Sequence, residues 1–251
     1  MNDNELILQT IDLTRYFGMV KAADGINVDV RRGEVVGIIG ANGSGKTTFL
    51  NLITGYLTPE RGRILFLGQE CTGESPRRIV KLGLARSFQI PQIYTALSVM
   101  ENLLLSLSAQ ADKGTVFWQP LYTESWVREA SEILARFGLE SYADRPVSVL
   151  PEGGRKLLDI ALSFALKPKL LLMDEPTSGV SIEDKFQVMD TMATVLKESN
   201  ITTIFVEHDM EVIQRYSQRV LVFDEGKLIA DGNPQTILAD PEIRKAVLGH
   251  E

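Results

Sequence analysis

The sequence predicts an α/β fold built on a mostly parallel sheet, with helices on its faces and a helical insert in its middle. Three observations carry that expectation. A strand, a glycine-rich loop and a helix follow one another over residues 35–54; strands and helices alternate again from Leu170 to Phe223; and the stretch between, roughly 89–165, is patterned mainly as helix.

Residues 6–8, 26–30 and 35–39 are β-rich runs, with a turn at 31–34 between the second and third. Residues 47–54 then carry helical apolar spacing at Phe49, Leu50 and Ile53. Residues 63–67 read as a strand, and Ser75-Pro76 as a capping residue followed by proline at a helix start. In the middle, 99–107 is helical, 109–122 mixes the glycine, proline and aromatic signals of a loop, and 124–137 is a helix ended by Gly138. Strand 170–173, helix 182–198, strand 202–206, helix 210–216 and strand 220–223 follow. A hairpin turn at 224–227 and a helical tail after Pro234 complete the order, with no internal repeat and no low-complexity segment.

The chain has 251 residues, the length of one large domain or two small ones. Hydrophobic residues at 44% and charged residues at 24% match an ordinary globular protein and exclude disorder. Twenty-six basic against thirty-three acidic side chains leave a net charge of -7, the wrong sign for binding nucleic acid or anionic lipid through bulk charge. No nucleic-acid partner is therefore expected. No apolar run approaches the roughly 18 residues of a spanning helix, the opening residues lack signal-peptide character, and Cys71 is the only cysteine. These features predict a cytoplasmic, disulfide-free protein whose membrane association goes through a protein partner.

Gly40-Ala41-Asn42-Gly43-Ser44-Gly45-Lys46-Thr47 matches the Walker A pattern G-x-x-x-x-G-K-[ST]. The inward amides of such a loop and the following helix N-terminus cradle phosphates, and glycines let the backbone approach. The candidate phosphate contacts are Gly40, Asn42, Gly43, Ser44, Gly45, Lys46, Thr47 and Thr48; Lys46 supplies a cation and Thr47 a hydroxyl for Mg²⁺.

Leu170-Leu171-Leu172-Met173-Asp174-Glu175 is an apolar strand ending in two adjacent carboxylates. Ligands meet a parallel sheet at the C-terminal ends of its strands, so Asp174 can hold a metal there while Glu175 orients or deprotonates the attacking water. His208 follows the strand 202–206 and should reach the same edge, although a lone histidine is more often a surface or core residue.

With Gln89 in Arg86-Ser87-Phe88-Gln89 between the two motifs, and His208 after the next strand, the set resembles the ATP-binding cassette (ABC) ATPases over essentially the whole chain. The resemblance implies ATP and Mg²⁺ as cofactors. It also implies one P-loop domain over 1–251: a RecA-like nucleotide-binding core with an antiparallel β subdomain (1–88 and 166–251), and a helical subdomain (89–165). Gln89 then bridges the metal to the helical subdomain, His208 contacts the γ-phosphate, and Phe17, with Tyr16 second, stacks on adenine.

Residues 83–92 and 97–103 look, more narrowly, like those of the ATPase subunits of branched-chain amino acid importers; ATPases of urea importers and lipopolysaccharide exporters are similar. The partners so implied are a second ABC ATPase subunit, identical or different, transmembrane permease subunits and, indirectly, an external solute-binding protein. The subunit would sit peripherally on the cytoplasmic face of the cell membrane. A soluble ABC ATPase shares these motifs; a P-loop kinase or GTPase shares only the first.

The family's signature Leu-Ser-Gly-Gly-Gln, which closes over the opposite subunit's nucleotide, aligns with Leu150-Pro151-Glu152-Gly153-Gly154. Pro151 removes a hydroxyl and an N–H that the signature donates, and Glu152 adds a carboxylate; Gly153, Gly154 and their helix still offer amides and a positive dipole end. Ser181 stands where many members have aspartate. Paired with a subunit of ordinary signature, this chain is expected to form one fully equipped site, on Lys46 and Glu175, and one impaired site.

Overall fold

The computed structural model describes residues 5–89, 92–111 and 122–248. β1 (Leu6–Phe17) and β2 (Val20–Arg31) form a long antiparallel hairpin, and β3 (Val35–Gly40) leads through the glycine loop into α1 (Lys46–Ile53). β4 (Arg61–Phe66) returns to pair with β1, and the two-residue β5 (Gln69–Glu70) pairs with β4. α2 (Pro76–Leu82) and β6 (Leu84–Ser87) precede three helices: α3 (Val99–Gln110), α4 (Glu124–Arg136) and α5 (Glu152–Ala165). β7 (Leu170–Asp174), α6 (Ile182–Glu198), β8 (Thr202–Val206), α7 (Met210–Tyr216), β9 (Arg219–Asp224) and β10 (Lys227–Gly232) alternate, and α8 (Pro234–Ile237) and α9 (Pro241–Leu248) end the described chain.

The strands sort into a four-stranded antiparallel sheet, order β2-β1-β4-β5, and a six-stranded sheet, order β10-β9-β3-β8-β7-β6, parallel except for β10. β7 shows how the parallel sheet divides the interior. Its side chains alternate with period two, so Leu170 and Leu172 enter one apolar cluster, with Phe49 and Phe66, while Leu171 and Met173 enter the other, with Leu103, Leu134 and Leu158. The helices α3–α5 therefore share one core with a face of the sheet.

Local chemistry sets the helix ends. Ser98 and Glu101 close a capping box on α3, each accepting from the other's backbone N–H. Gly138, at φ +67, ends α4 in a Schellman turn: Leu139 N–H bonds Leu134 C=O at 2.8 Å and Gly138 N–H bonds Ala135 C=O at 3.2 Å.

The observed elements differ from the sequence expectation in several places, among them strands β5 and β10, which it did not name, and residues 109–110, read as loop, which close α3. β1 and β2 run to 12 residues each, because hairpin pairing extends runs whose polar outer residues hide the strand pattern. β6 carries little strand signal in four residues, and forms because it pairs in parallel with β7, placing Leu84 and Ala85 in opposite clusters. The tail is two helices, restarted at Pro241 after Asp240. The predicted loop at 109–122 lies largely outside the described residues, as do Ile90 and Pro91. Among the described residues, no helix is long and apolar enough to cross a membrane.

Candidate nucleotide-binding site

Strand register gathers the site. Ile38 of β3 and Asp174 of β7 both pair with Val206 of β8, so the glycine loop, the Asp174-Glu175 pair and Glu207-His208 leave the sheet at one edge.

The loop's shape depends on missing side chains. A Cβ at Gly40 would stand 2.2 Å from the Phe223 carbonyl oxygen and 2.7 Å from Ser44 Oγ; one at Gly45, where φ is +103, would stand 2.4 Å from the Ala22 carbonyl oxygen. Gly45 is also the N-cap of α1 and offers no side-chain cap, which leaves the helix's first-turn amides to an external acceptor. Ser44 Oγ is buried without a hydrogen-bond partner, a donor waiting for a ligand oxygen. Lys46 is buried, and its Nζ donates to Gly40 C=O at 2.7 Å and Ala41 C=O at 2.9 Å. Burial lowers its proton affinity, against the opposing pull of Glu175 and Asp174.

Asn42, Gly43, Ser44, Gly45, Lys46, Thr47, Thr48, Glu175 and His208 line a pocket of about 150 Å³. That volume suits a phosphate chain and is too small for a base and sugar. A second hollow of about 440 Å³ adjoins it at Gly43, lined by Val20, Lys21, Asp24, Glu225 and Lys227.

At the carboxylate end, Glu175 sits at φ +50, held by its N–H to Val206 C=O at 3.0 Å. Both its oxygens are engaged. Oε2 accepts from Gln89 Nε2 at 2.7 Å, and Oε1 accepts from His208 Nε2 at 2.7 Å, which assigns the proton to that ring nitrogen. Asp174 Oδ2 accepts from Arg86 Nη2 at 2.6 Å, in a pair whose side chains are only 7% and 6% exposed. Arg86 Nη1 donates to Asn51 Oδ1 at 2.7 Å, tying β6, β7 and α1 together. Glu207, raised in pKa by burial, takes both the N–H (2.9 Å) and hydroxyl (2.7 Å) of Thr177 and so fixes the turn after Glu175.

The structure thus brings together Gly40, Asn42–Thr48, Asp174, Glu175, Gln89 and His208. It leaves others apart. Phe17, the candidate adenine platform, ends β1 at 47% exposure with Arg15 5.2 Å over its ring, outside the phosphate pocket; it pairs with Val20, which lines the neighbouring hollow. Gly153 and Gly154 lie in the first turn of α5, also outside this pocket. Glu152, at the same helix start, has Arg155 Nη1 3.6 Å from its Oε2.

Four residues of the site carry no role in the sequence reading: Arg86, Lys156, Asp159 and Glu207. Lys156 Nζ donates to Gln89 C=O at 2.7 Å and to Glu175 C=O at 3.2 Å. Asp159 accepts from Phe88 N–H at 3.1 Å and Gln92 N–H at 3.3 Å, and burial raises its pKa to about 6. The available signal was spacing: Lys156, Asp159 and Ser163 form a polar stripe at i, i+3 and i+7 on an otherwise apolar helix face.

Known proteins resemble this chain over most of its length. Residues 23–178 match the family model described as ABC transporter. A probable branched-chain amino acid transport ATP-binding protein of Archaeoglobus fulgidus is 32% identical over 250 residues, covering 97% of this chain and 95% of that protein. The high-affinity branched-chain amino acid transport ATP-binding protein of Escherichia coli K12 is also 32% identical, with 97% and 98% covered. The crystal structure of the ADP conformation of an ATP-binding cassette of an ABC transporter superposes with a TM-score of 0.87 at 33% identity, covering 98% of this chain and 99% of that one.

Proposed function

The chain belongs to the ABC transporter ATPase family, and from that premise we propose that it powers import of branched-chain or related amino acids by closing, as a dimer, over MgATP. The juxtaposition that carries this reading is Lys46 and Glu175 as walls of one pocket, with the unpartnered Ser44 hydroxyl between Gly40 and the helix start.

Lys46 and the amides of 42–48 take up the charge of the terminal phosphates. Thr47, Asp174 and Gln89 offer hydroxyl, carboxylate and amide oxygens, a set that fits Mg²⁺, which keeps waters and completes its shell with substrate phosphates. The ion, when bound, neutralises charge building on the phosphate oxygens. Arg86 takes Oδ2 of Asp174, so the carboxylate's other oxygen is the one to serve that duty. Glu175 orients the attacking water and takes its proton, an effect of about 10²–10⁴ in rate. His208 and Gln89, its two side-chain partners, respond to the γ-phosphate; Phe17, with Tyr16 as the alternative, carries the adenine.

Gly153 and Gly154 serve a nucleotide held by a second ABC ATPase subunit, which completes each site in trans; closure is favoured because only the closed dimer makes every phosphate contact. Transmembrane permease subunits hold the dimer peripherally at the cytoplasmic face of the membrane, and a solute-binding protein delivers cargo to them. The negative net charge argues for attachment through those subunits and against a nucleic-acid partner.

Calorimetry of the purified chain with MgATP tests the core of the reading. Lys46→Ala is expected to weaken binding at least about tenfold, the scale of one charge-assisted contact. Full affinity in that variant refutes the site. Co-purification with transmembrane subunits, followed by uptake of branched-chain amino acids against urea in vesicles, tests the transport assignment.

A further inference from the structure

The polar stripe on α5 belongs to none of the motifs discussed above. Ser163, Asp159 and Lys156 are 7%, 5% and 3% exposed, and each bonds the backbone of the segment running from β6 to the Gln89 loop. Ser163 Oγ donates to Arg86 C=O at 3.2 Å, Asp159 accepts from Phe88 and Gln92, and Lys156 donates to Gln89 C=O. Lys156 alone reaches further, to the carbonyl of Glu175. It therefore touches the backbone of the two residues whose side chains pair across the site.

Stability does not explain a lysine here. Burial opposes its charge, its hydrogen-bond partners are neutral carbonyls, and the nearby carboxylates of Asp159, Glu152, Glu207 and Glu175 only partly offset that cost. Position explains it. The first turn of α5 begins at Pro151, which gives no side-chain cap, and contains Gly153 and Gly154, each about 1 kcal/mol poorer than alanine in a helix. This turn lacks a side-chain cap, and Lys156 is the first residue after it tied to the nucleotide site.

We propose that Lys156 is a positioning residue that carries the state of the Pro151–Gly154 turn, set by the nucleotide of the partner subunit, to Gln89 and Glu175 of this chain's own site. The inference rests on the reading of Glu175 and Gln89 given above. A turn drawn toward a nucleotide moves Lys156, which shifts both carbonyls together and so resets the Gln89–Glu175 hydrogen bond. Asp159 and Ser163 hold the far side of the segment, so the movement is delivered at Gln89 and is not spread along 86–92.

Steady-state hydrolysis by the full chain, with equilibrium binding of MgATP, tests this. Lys156→Met is expected to lower kcat about tenfold or more while KM and MgATP affinity stay within about threefold. Lys156→Arg, which keeps the donors, should return kcat to within about threefold of the parent. Adding Lys156→Met to Gln89→Ala should slow the enzyme no more than about twofold further, because the lysine acts through that loop. Unchanged kcat in Lys156→Met, failure of arginine to rescue, or additive losses in the double variant each overturn the proposal. Should the methionine variant not fold, Lys156→Gln is read against the same criteria. Full turnover in Glu175→Gln overturns the underlying site reading instead, whatever the lysine variants do.

Discussion

The side-chain amide of Gln89 donates to Glu175 Oε2 across 2.7 Å, joining residues 86 apart in the chain. With His208 on the other oxygen, each carboxylate oxygen already accepts one hydrogen bond, which fixes the direction in which its remaining lone pairs can meet a water. Gln89 stands on the loop leaving β6, which α5 grips through Lys156 and Asp159, so the carboxylate's availability is linked to the helical insert.

Glu175→Gln should retain MgATP affinity within about threefold and lose about 10²–10⁴ in turnover, since the amide keeps the shape but cannot take a proton. Equilibrium binding and phosphate release measured on the same preparation check both halves. Unaltered turnover removes the role assigned to Glu175.

Gly45→Ala should be among the most damaging single-methyl additions. The new Cβ meets the Ala22 carbonyl oxygen at 2.4 Å and the backbone must hold φ +103. A loss of about 1–3 kcal/mol in stability is expected from the backbone strain alone, together with loss of nucleotide binding. Urea denaturation and calorimetry report the two effects.

Arg86→Ala leaves Asp174 buried without its cation and Asn51 without its donor. Truncating one member of a buried pair costs about 3–5 kcal/mol, so the denaturation midpoint should fall sharply. Arg86→Lys restores the charge without the two-pronged geometry and should recover only part of it.

Asp159 titrates at a raised pKa because it is buried. A raised folded-state pKa means that the native state binds the proton more tightly than the unfolded chain. The stabilisation is then complete below the ordinary carboxylate range and lost as pH rises to about 6. The melting temperature of Asp159→Asn, which cannot ionise, should gain on that of the parent between about pH 4 and pH 6 and show no further relative gain above pH 7. A constant difference across that window contradicts the assignment.

Pro151→Ser should stabilise the start of α5, where the N-cap now makes no side-chain hydrogen bond, by about 0.5–2 kcal/mol. It should also raise ATP hydrolysis by the assembled dimer, because a hydroxyl and an amide return to the signature turn. A stability gain without a gain in turnover confines the residue to capping.

Much of this protein was legible in its residues. The strand, glycine loop and helix lay in one continuous stretch, because amides that cradle a phosphate must come from consecutive residues. Asp174 and Glu175 were readable because an apolar strand ending in polar residues states where it leaves the sheet, whereas His208 gained a role only from the family resemblance. Helix α6 lay over the 182–198 span read from the residues, and the structure adds the Ser181 side chain as its cap. What escaped had weak local signals: β6 has four residues and owes its place to β7, and the hairpin β1–β2 is extended by pairing.

The sequence by itself determined the phosphate loop, the carboxylate pair and the alternation that builds the parallel sheet. Each is a property of neighbours along the chain, where backbone geometry and residue type act within a few bonds. Only the tertiary structure decided that Arg86 would occupy an oxygen of Asp174, that Glu175 would be shared between Gln89 and His208, and that Lys156 would reach both backbones. Those contacts join residues on different strands and helices, and hydrogen bonds require separations near 3 Å that no spacing in the sequence encodes.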